Sequence, residues 1–252
     1  MLRIPGATYD WPSELVLVRH GESERNVALR EALERGALEY GSPIRQADTP
    51  LTDRGWQQAE HTGRSLGAHF RFHRVIASPY MRTLQTAQAI IKTLPYKGEL
   101  RVDERIRERE SGILDGLTRT GIKQKYPEEL ARAEREGRYY YRPPGGESHP
   151  DVNLRVQGFL TSLRQNFAGH SILVVSHSIV IWAFRRLLDR LTEQELLELL
   201  AKPDLDVRNC SVTRYALNGG ALRPKLVEFN AVYYPPELDS PGRDRQPASA
   251  AG

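Results

Sequence analysis

Two continuous apolar runs, Leu15-Val16-Leu17-Val18 and Ile172-Leu173-Val174-Val175, limit the fold more than any other feature of the chain. Each is short, rich in branched residues and bordered by polar sequence, so each reads as a strand buried on both faces. A strand with no polar face needs helices above and below its sheet. Both runs also stop at a histidine, in Arg19-His20-Gly21 and in Ser176-His177-Ser178. Open α/β sheets bind ligands in the crevice beyond the carboxyl ends of their strands. If the two strands are parallel neighbours, both imidazoles face one crevice.

The remaining sequence alternates in the same way. Arg74-Val75-Ile76-Ala77 is a further short strand, Leu100-Arg101-Val102 a weak one, and residues 209–217 and 226–233 give two late ones. Thr52 caps a helix carrying Trp56, Ala59, Gly63, Leu66 and Phe70 on one face. Ser78-Pro79 reads as a cap followed by proline at the first helical position, ahead of a stripe of Tyr80, Leu84, Ala87, Ile91 and Leu94. Ser148 with Asp151 forms a capping box before Val152, Val156, Phe159, Leu163 and Phe167, and Thr192 with Glu195 forms another. These elements predict an α/β protein, a three-layer α/β/α sandwich with a mostly parallel central sheet. Polar segments at about 27–49 and 119–146 are expected to form a helical cap over the strand ends. Residues 1–234 are expected to form one domain, followed by a disordered tail over 235–252, rich in Pro, Ser, Gly and charge.

Composition narrows the function classes. No apolar stretch approaches the ~20 residues of a membrane helix, so no membrane partner is expected. Residues 1–11 lack the basic-then-apolar pattern of a secretory signal. The single cysteine, Cys210, forbids an internal disulfide and a cysteine-based zinc cluster; a cytoplasmic protein is expected. The net charge of +4 is scattered among acids, with no basic block interleaved with aromatics, so nucleic acid is not the expected partner either. The basic balance suits a small anionic substrate. His61, His69, His73, His149 and His170 show no strong metal-ligand spacing and read as surface residues. Tyr139-Tyr140-Tyr141 either lines the pocket or packs the cap onto the core.

The chemistry gathers around the two strand ends. Arg19 follows the first strand, and Arg82 sits in the first turn of a helix, where amides and dipole attract anions. Two imidazoles and two guanidiniums around one point suit a dianionic phosphoryl group, because guanidinium forks match its oxygens and need no metal to balance its charge. A histidine nucleophile attacks through a neutral nitrogen, and arginine neighbours favour that state. A leaving alkoxide needs a proton, and the acidic stretch from Glu104 to Asp115 is the expected source; Glu104, Glu108 and Glu110 all stand in it.

Arg19-His20-Gly21-Glu22-Ser23 with Asn26 resembles the signature of the histidine phosphatase superfamily, the phosphoglycerate mutase-like fold. Ser78-Pro79-Tyr80-Met81-Arg82-Thr83 with Thr86-Ala87 is similar to its second motif. Ile106-Arg107-Glu108 with Gly112 and Asp115-Gly116 resembles its third, although Asp115 stands where relatives often have Glu. Val175-Ser176-His177-Ser178 resembles the fourth, and Pro144-Gly145-Gly146-Glu147-Ser148, with Asp151 and Arg155, a further segment. The resemblance implies that His20 is the phosphohistidine nucleophile and that Glu108 is the proton donor. It implies that Arg19, Arg82 and His177 hold the phosphoryl group, with Ser23 and Asn26 adding hydrogen bonds. It implies no metal and no cofactor.

The expected activity is therefore hydrolysis of small phosphorylated substrates by a broad-specificity phosphomonoesterase. Two alternatives stand beside it, a cofactor-dependent phosphoglycerate mutase and a non-catalytic phosphate-binding adaptor. The mutases typically carry a Phe-Thr-Gly-Trp-like stretch soon after the first motif, where this chain has the Glu/Arg-rich segment 28–49. The residues leave the oligomeric state open.

Overall fold

The computed structural model describes residues 10–41, 44–218 and 221–241. Six strands form one sheet: β1 (Glu14–Arg19), β2 (Arg74–Ala77), β3 (Leu100–Val102), β4 (Ser171–Ser176), β5 (Val212–Ala216) and β6 (Lys225–Ala231), in the order β3-β2-β4-β1-β5-β6. The four strands β3, β2, β4 and β1 are mutually parallel, and β5 and β6 add an antiparallel edge. The helices are α1 (Glu24–Glu34), α2 (Asp53–His69), α3 (Met81–Thr93), α4 (Arg119–Lys125), α5 (Pro127–Glu136), α6 (His149–Asn166), α7 (Ser178–Leu188) and α8 (Glu193–Ala201). None of the described helices is long and apolar enough to cross a membrane.

The apolar runs at the two central strands have a direct cause. Leu15 and Leu17 of β1, with Ile172 and Val174 of β4, enter a core built by α6, α7 and α8. Val16, Val18, Leu173 and Val175 point the other way, into a core with α2 and α3. Side chains alternate along a strand, so a sheet covered on both faces needs an apolar residue at every position. The parallel register pairs Val18 with Val175 and Arg19 with Ser176. Register alone therefore brings His20 and His177 level at the same end of the sheet, and the His20 amide donates to the Ser176 carbonyl at 2.9 Å.

Several local expectations are corrected. Ser78 does not cap α3, which starts at Met81 with Tyr80 at its N-cap; the Ser78 hydroxyl bonds a histidine ring instead. The buried face of α3 is also rotated from the apolar stripe, with Thr83, Thr86, Ala87 and Ile90 buried while Leu84 and Ile91 are half-buried. Small residues face α2 because the helices approach closely: a Cβ on Gly63 would lie 2.9 Å from the Ile90 Cα. His149 is not a surface residue, since α6 begins there and its ring stacks on Tyr139 with centroids 5.9 Å apart. Residues 235–241 are not tail-like. Pro236–Leu238 is a 3-10 turn whose Leu238 carbonyl accepts from Gln58 of α2 at 2.7 Å, and Asp239 pairs with Arg208. Residues 242–252, the rest of the expected tail, lie outside the described residues.

Candidate active site

His20 follows β1 in a tight junction. The Gly21 amide donates to Thr86 Oγ1 at 3.0 Å, and a Cβ on Gly21 would lie 2.5 Å from the Gly55 carbonyl oxygen, so only glycine lets α2 approach the strand end. His20 Nδ1 lies 2.8 Å from the Gly21 carbonyl oxygen. A carbonyl can only accept, so Nδ1 carries the proton and Nε2 presents its lone pair. Arg82 Nε donates to that Nε2 at 3.2 Å. Asn209, buried and nearly 190 residues along the chain, donates to the His20 carbonyl at 3.1 Å. His20 is 3% exposed. Burial first, then Arg82 and Arg19, hold its pKa well below the ordinary imidazole range, against the Gly21 hydrogen bond that raises it.

His177 ends β4 and starts α7, and its ring sits edge-on to His20 with centroids 5.3 Å apart. Arg82 reaches His177 Nδ1 at 3.4 Å through a nitrogen that can only donate. Nε2 therefore carries the His177 proton and donates to Ser78 Oγ at 2.8 Å. Burial and Arg82 keep this imidazole neutral as well, followed by His20. Arg82 thus lies between the two rings, and a third donation, to the Gln46 carbonyl at 2.7 Å, fixes its plane. Its own pKa falls to about 10, through burial above all. Arg19 reaches the Val207 carbonyl at 2.6 Å from the end of β1.

Glu108 comes from an irregular segment between two 3-10 turns, Glu104–Ile106 and Gly112–Leu114. One carboxylate oxygen accepts from the Arg109 amide at 2.8 Å; the other lies 3.6 Å from His177 Nδ1. Glu110 is held by the Tyr80 hydroxyl at 2.7 Å, and Glu104 does not line the cleft, so of the three carboxylates Glu108 faces the imidazoles. Ser23 and Asn26 line the cleft but are also a capping box at the start of α1. Asn26 Oδ1 accepts from the Ser23 amide and hydroxyl at 3.0 and 2.8 Å. That leaves the Asn26 amide nitrogen without a partner among the described residues.

The sequence-predicted residues Arg19, His20, Ser23, Asn26, Arg82 and Glu108 all line one cleft of about 360 Å³, with His177 buried behind it. Sequence reasoning missed Ser78 as the partner of His177, Gln46 and Asn209 as supports, and two further guanidiniums in the wall, Arg109 and Arg138. Neither Arg109 nor Arg138 has an ion-pair partner among the described residues. Desolvation in the cleft wall lowers both pKa values, against Glu108 and Glu147 for Arg109 and against Asp206 for Arg138, which Arg109 lowers further. Arg25, by contrast, pairs with Asp115 and lies over the Tyr40 ring at 4.9 Å. The tyrosine cluster divides: Tyr141 lines the cleft and donates to Glu129 at 2.7 Å, whereas Tyr139 packs inward. Among the described residues no group of three His, Cys, Asp or Glu is placed to hold a metal ion.

An α/β sheet that presents two neutral imidazoles, an arginine between them and a nearby carboxyl at its strand ends has the groups that phosphoryl chemistry requires. The model of the histidine phosphatase superfamily (branch 1) matches residues 15–231, and the chain belongs to that family. A 2,3-bisphosphoglycerate-dependent phosphoglycerate mutase of Rhizobium etli is 32% identical over 193 residues, covering 74% of this chain and 85% of the relative. Fructose-2,6-bisphosphatase TIGAR B of Danio rerio is 35% identical over 153 residues, covering 60% of this chain and 53% of that protein. Among solved structures, a mycobacterial glucosyl-3-phosphoglycerate phosphatase superposes with a TM-score of 0.67 at 27% identity, covering 87% of this chain and 99% of that one. Members of this family are phosphatases or mutases, and the chain is an enzyme of that kind.

Proposed function

We propose that the protein is a metal-independent phosphomonoesterase that passes the phosphoryl group through His20. The observation that carries this reading is the state of His20: Nδ1–H held by the Gly21 carbonyl, Nε2 bare, buried and beside Arg82. The Nε2 lone pair attacks phosphorus, a P–N bond forms, and the P–O bond to the leaving group breaks. Arg19, Arg82 and His177 surround the charge on the equatorial oxygens, with the Asn26 amide as a further donor. Glu108, as the carboxylic acid, gives its proton to the leaving oxygen. As the carboxylate it then takes a proton from water, which attacks the phosphohistidine, breaks the P–N bond and releases inorganic phosphate. The Gly21 carbonyl faces the imidazole that becomes positive while phosphorylated, as a fixed dipole of the right sign. Rapid quench with a radiolabelled small phosphomonoester tests the reading. Acid-labile label on His20, absent from His20→Ala, is the expected result, with turnover unchanged by a chelator; turnover that survives His20→Ala overturns it.

A second reading, phosphoglycerate mutase, is favoured by Arg109 and Arg138. These two guanidiniums, with no carboxylate of the described residues within ion-pair distance, suit a substrate with a second anionic group, a carboxylate or another phosphate. The curated relatives named as mutases point the same way. Hydrolysis is preferred because the Glu/Arg-rich segment 28–49, which begins within α1, stands where the mutases typically carry their Phe-Thr-Gly-Trp-like stretch. Incubation with 3-phosphoglycerate and a bisphosphoglycerate primer separates the two: free phosphate as the main product supports hydrolysis, and isomerisation with little phosphate release supports the mutase. Any turnover at all removes the adaptor reading.

A further inference from the structure

We infer that the largely buried ion pair between Glu147 and Arg155 is a positioning device for the proton donor Glu108; the inference rests on the acid role proposed for that residue. Residues 107–110 belong to no helix or strand, so no local hydrogen-bond ladder fixes where Glu108 points. Apart from the Arg109 amide, which holds one Glu108 carboxylate oxygen, what fixes the segment comes from α6 and the turn before it. Arg155 of α6 meets Glu147 with Nε at 2.9 Å and a terminal nitrogen at 3.1 Å, one to each carboxylate oxygen. The same guanidinium donates to the carbonyl of Arg105 at 2.8 Å and to the carbonyl of Glu108 itself at 3.3 Å. Glu147 completes the clamp by accepting from the Glu110 amide at 3.1 Å and from Arg107 at 3.0 Å, while its own amide donates to the Glu110 carbonyl at 2.9 Å.

Main-chain groups on both sides of Glu108 are thus gripped by one two-residue unit, and neither Glu147 nor Arg155 lines the cleft. Glu147 is 8% exposed, so its charge stands in a site where an unmatched partner is not easily solvated. A planar fork makes all four donations at once; an ammonium of the same charge does not. A carboxyl group displaced by an ångström loses much of its proton-transfer efficiency while leaving the phosphoryl pocket intact.

The test compares leaving groups. Glycerol 2-phosphate needs a proton on its departing alkoxide, whereas 2,4-dinitrophenyl phosphate does not. Because kcat/KM includes P–O cleavage but not the later hydrolysis of phosphohistidine, it isolates the acid step. Arg155→Lys and Glu147→Gln are expected to lower kcat/KM for glycerol 2-phosphate about tenfold or more, and that for the dinitrophenyl ester by about twofold at most. Glu108→Gln serves as the reference and should show the same selectivity more strongly, on the order of 100-fold. If Glu108→Gln shows the selectivity and the clamp variants depress both substrates equally, or neither, the positioning role is wrong. If Glu108→Gln shows no selectivity, the acid assignment itself falls. Should Glu147→Gln fail to fold, Arg155→Lys, which keeps the charge, decides the comparison alone.

Discussion

At the residue scale, the site depends on which nitrogen of each imidazole carries a proton. His20 and His177 hold opposite tautomers, Nδ1–H and Nε2–H, because His20 Nδ1 faces a carbonyl that only accepts and His177 Nδ1 faces an arginine that only donates, leaving the Nε2 proton for Ser78. Arg82 donates to the bare nitrogen of each ring, so its planar fork cannot be replaced by a point charge. Arg82→Lys should lower kcat/KM about 100-fold or more for every phosphomonoester, with no leaving-group selectivity, as measured with the two esters above. Ser78→Ala should act more mildly, about tenfold, by freeing the His177 ring from its tautomer partner. Arg109→Ala gives a third outcome, a rise in KM confined to substrates with a second anionic group. Steady-state kinetics on 3-phosphoglycerate against phenyl phosphate reads it.

At the element scale, caps and close approaches decide how the site is presented. Ser23 caps α1 and lines the cleft, whereas Thr192 caps α8 through the same kind of box, away from the cleft. Both alanine variants should lose about 1 kcal/mol in urea unfolding, but only Ser23→Ala should also lose activity. The Thr192 box was legible in the sequence because a capping box spans only four residues, whereas Ser23 and Asn26 were read there only as phosphoryl contacts and their cap emerged in the structure. Strands β1 and β4 were legible too, since a run apolar at every position has few other readings. The rotated face of α3 was not legible, because its burial follows from the nearness of Gly63 rather than from the hydrophobicity of Leu84 and Ile91. The role of Ser78 escaped for a related reason: its partner, His177, is 99 residues away.

For the whole molecule, burying two neutral imidazoles links stability to pH. Both pKa values are lowered in the folded state, so the unfolded chain binds more protons once pH falls below the ordinary imidazole value near ~6.5. The stability is fully present above that pH and declines as pH falls toward the folded-state values, by about 1.4 kcal/mol per pH unit for each ring. Urea unfolding between pH 7.5 and 5.5 should show this slope, and His20→Ala should reduce it. Phosphate, bound only by the folded state, should raise the melting temperature; at a hundredfold excess over its Kd the gain is about 2.7 kcal/mol. Differential scanning calorimetry with and without phosphate measures it, and His20→Ala with Arg82→Ala should abolish the shift.

The amino-acid sequence alone determined the buried strands, the starts of α2, α6 and α8, the sheet class and six of the residues that line the cleft, Arg19, His20, Ser23, Asn26, Arg82 and Glu108. Each of these is written over a few adjacent positions, in the period of side-chain burial or in a cap. The tertiary structure decided what those residues are to one another. The β1–β4 register set His20 level with His177, the Gly21 carbonyl chose the His20 tautomer, and Asn209 reached the same histidine from the far end of the chain. The Glu147–Arg155 pair gripped the segment that carries Glu108. Most of these relations join segments tens to hundreds of residues apart, and they exist only once the sheet has assembled and burial has removed water as the competing partner.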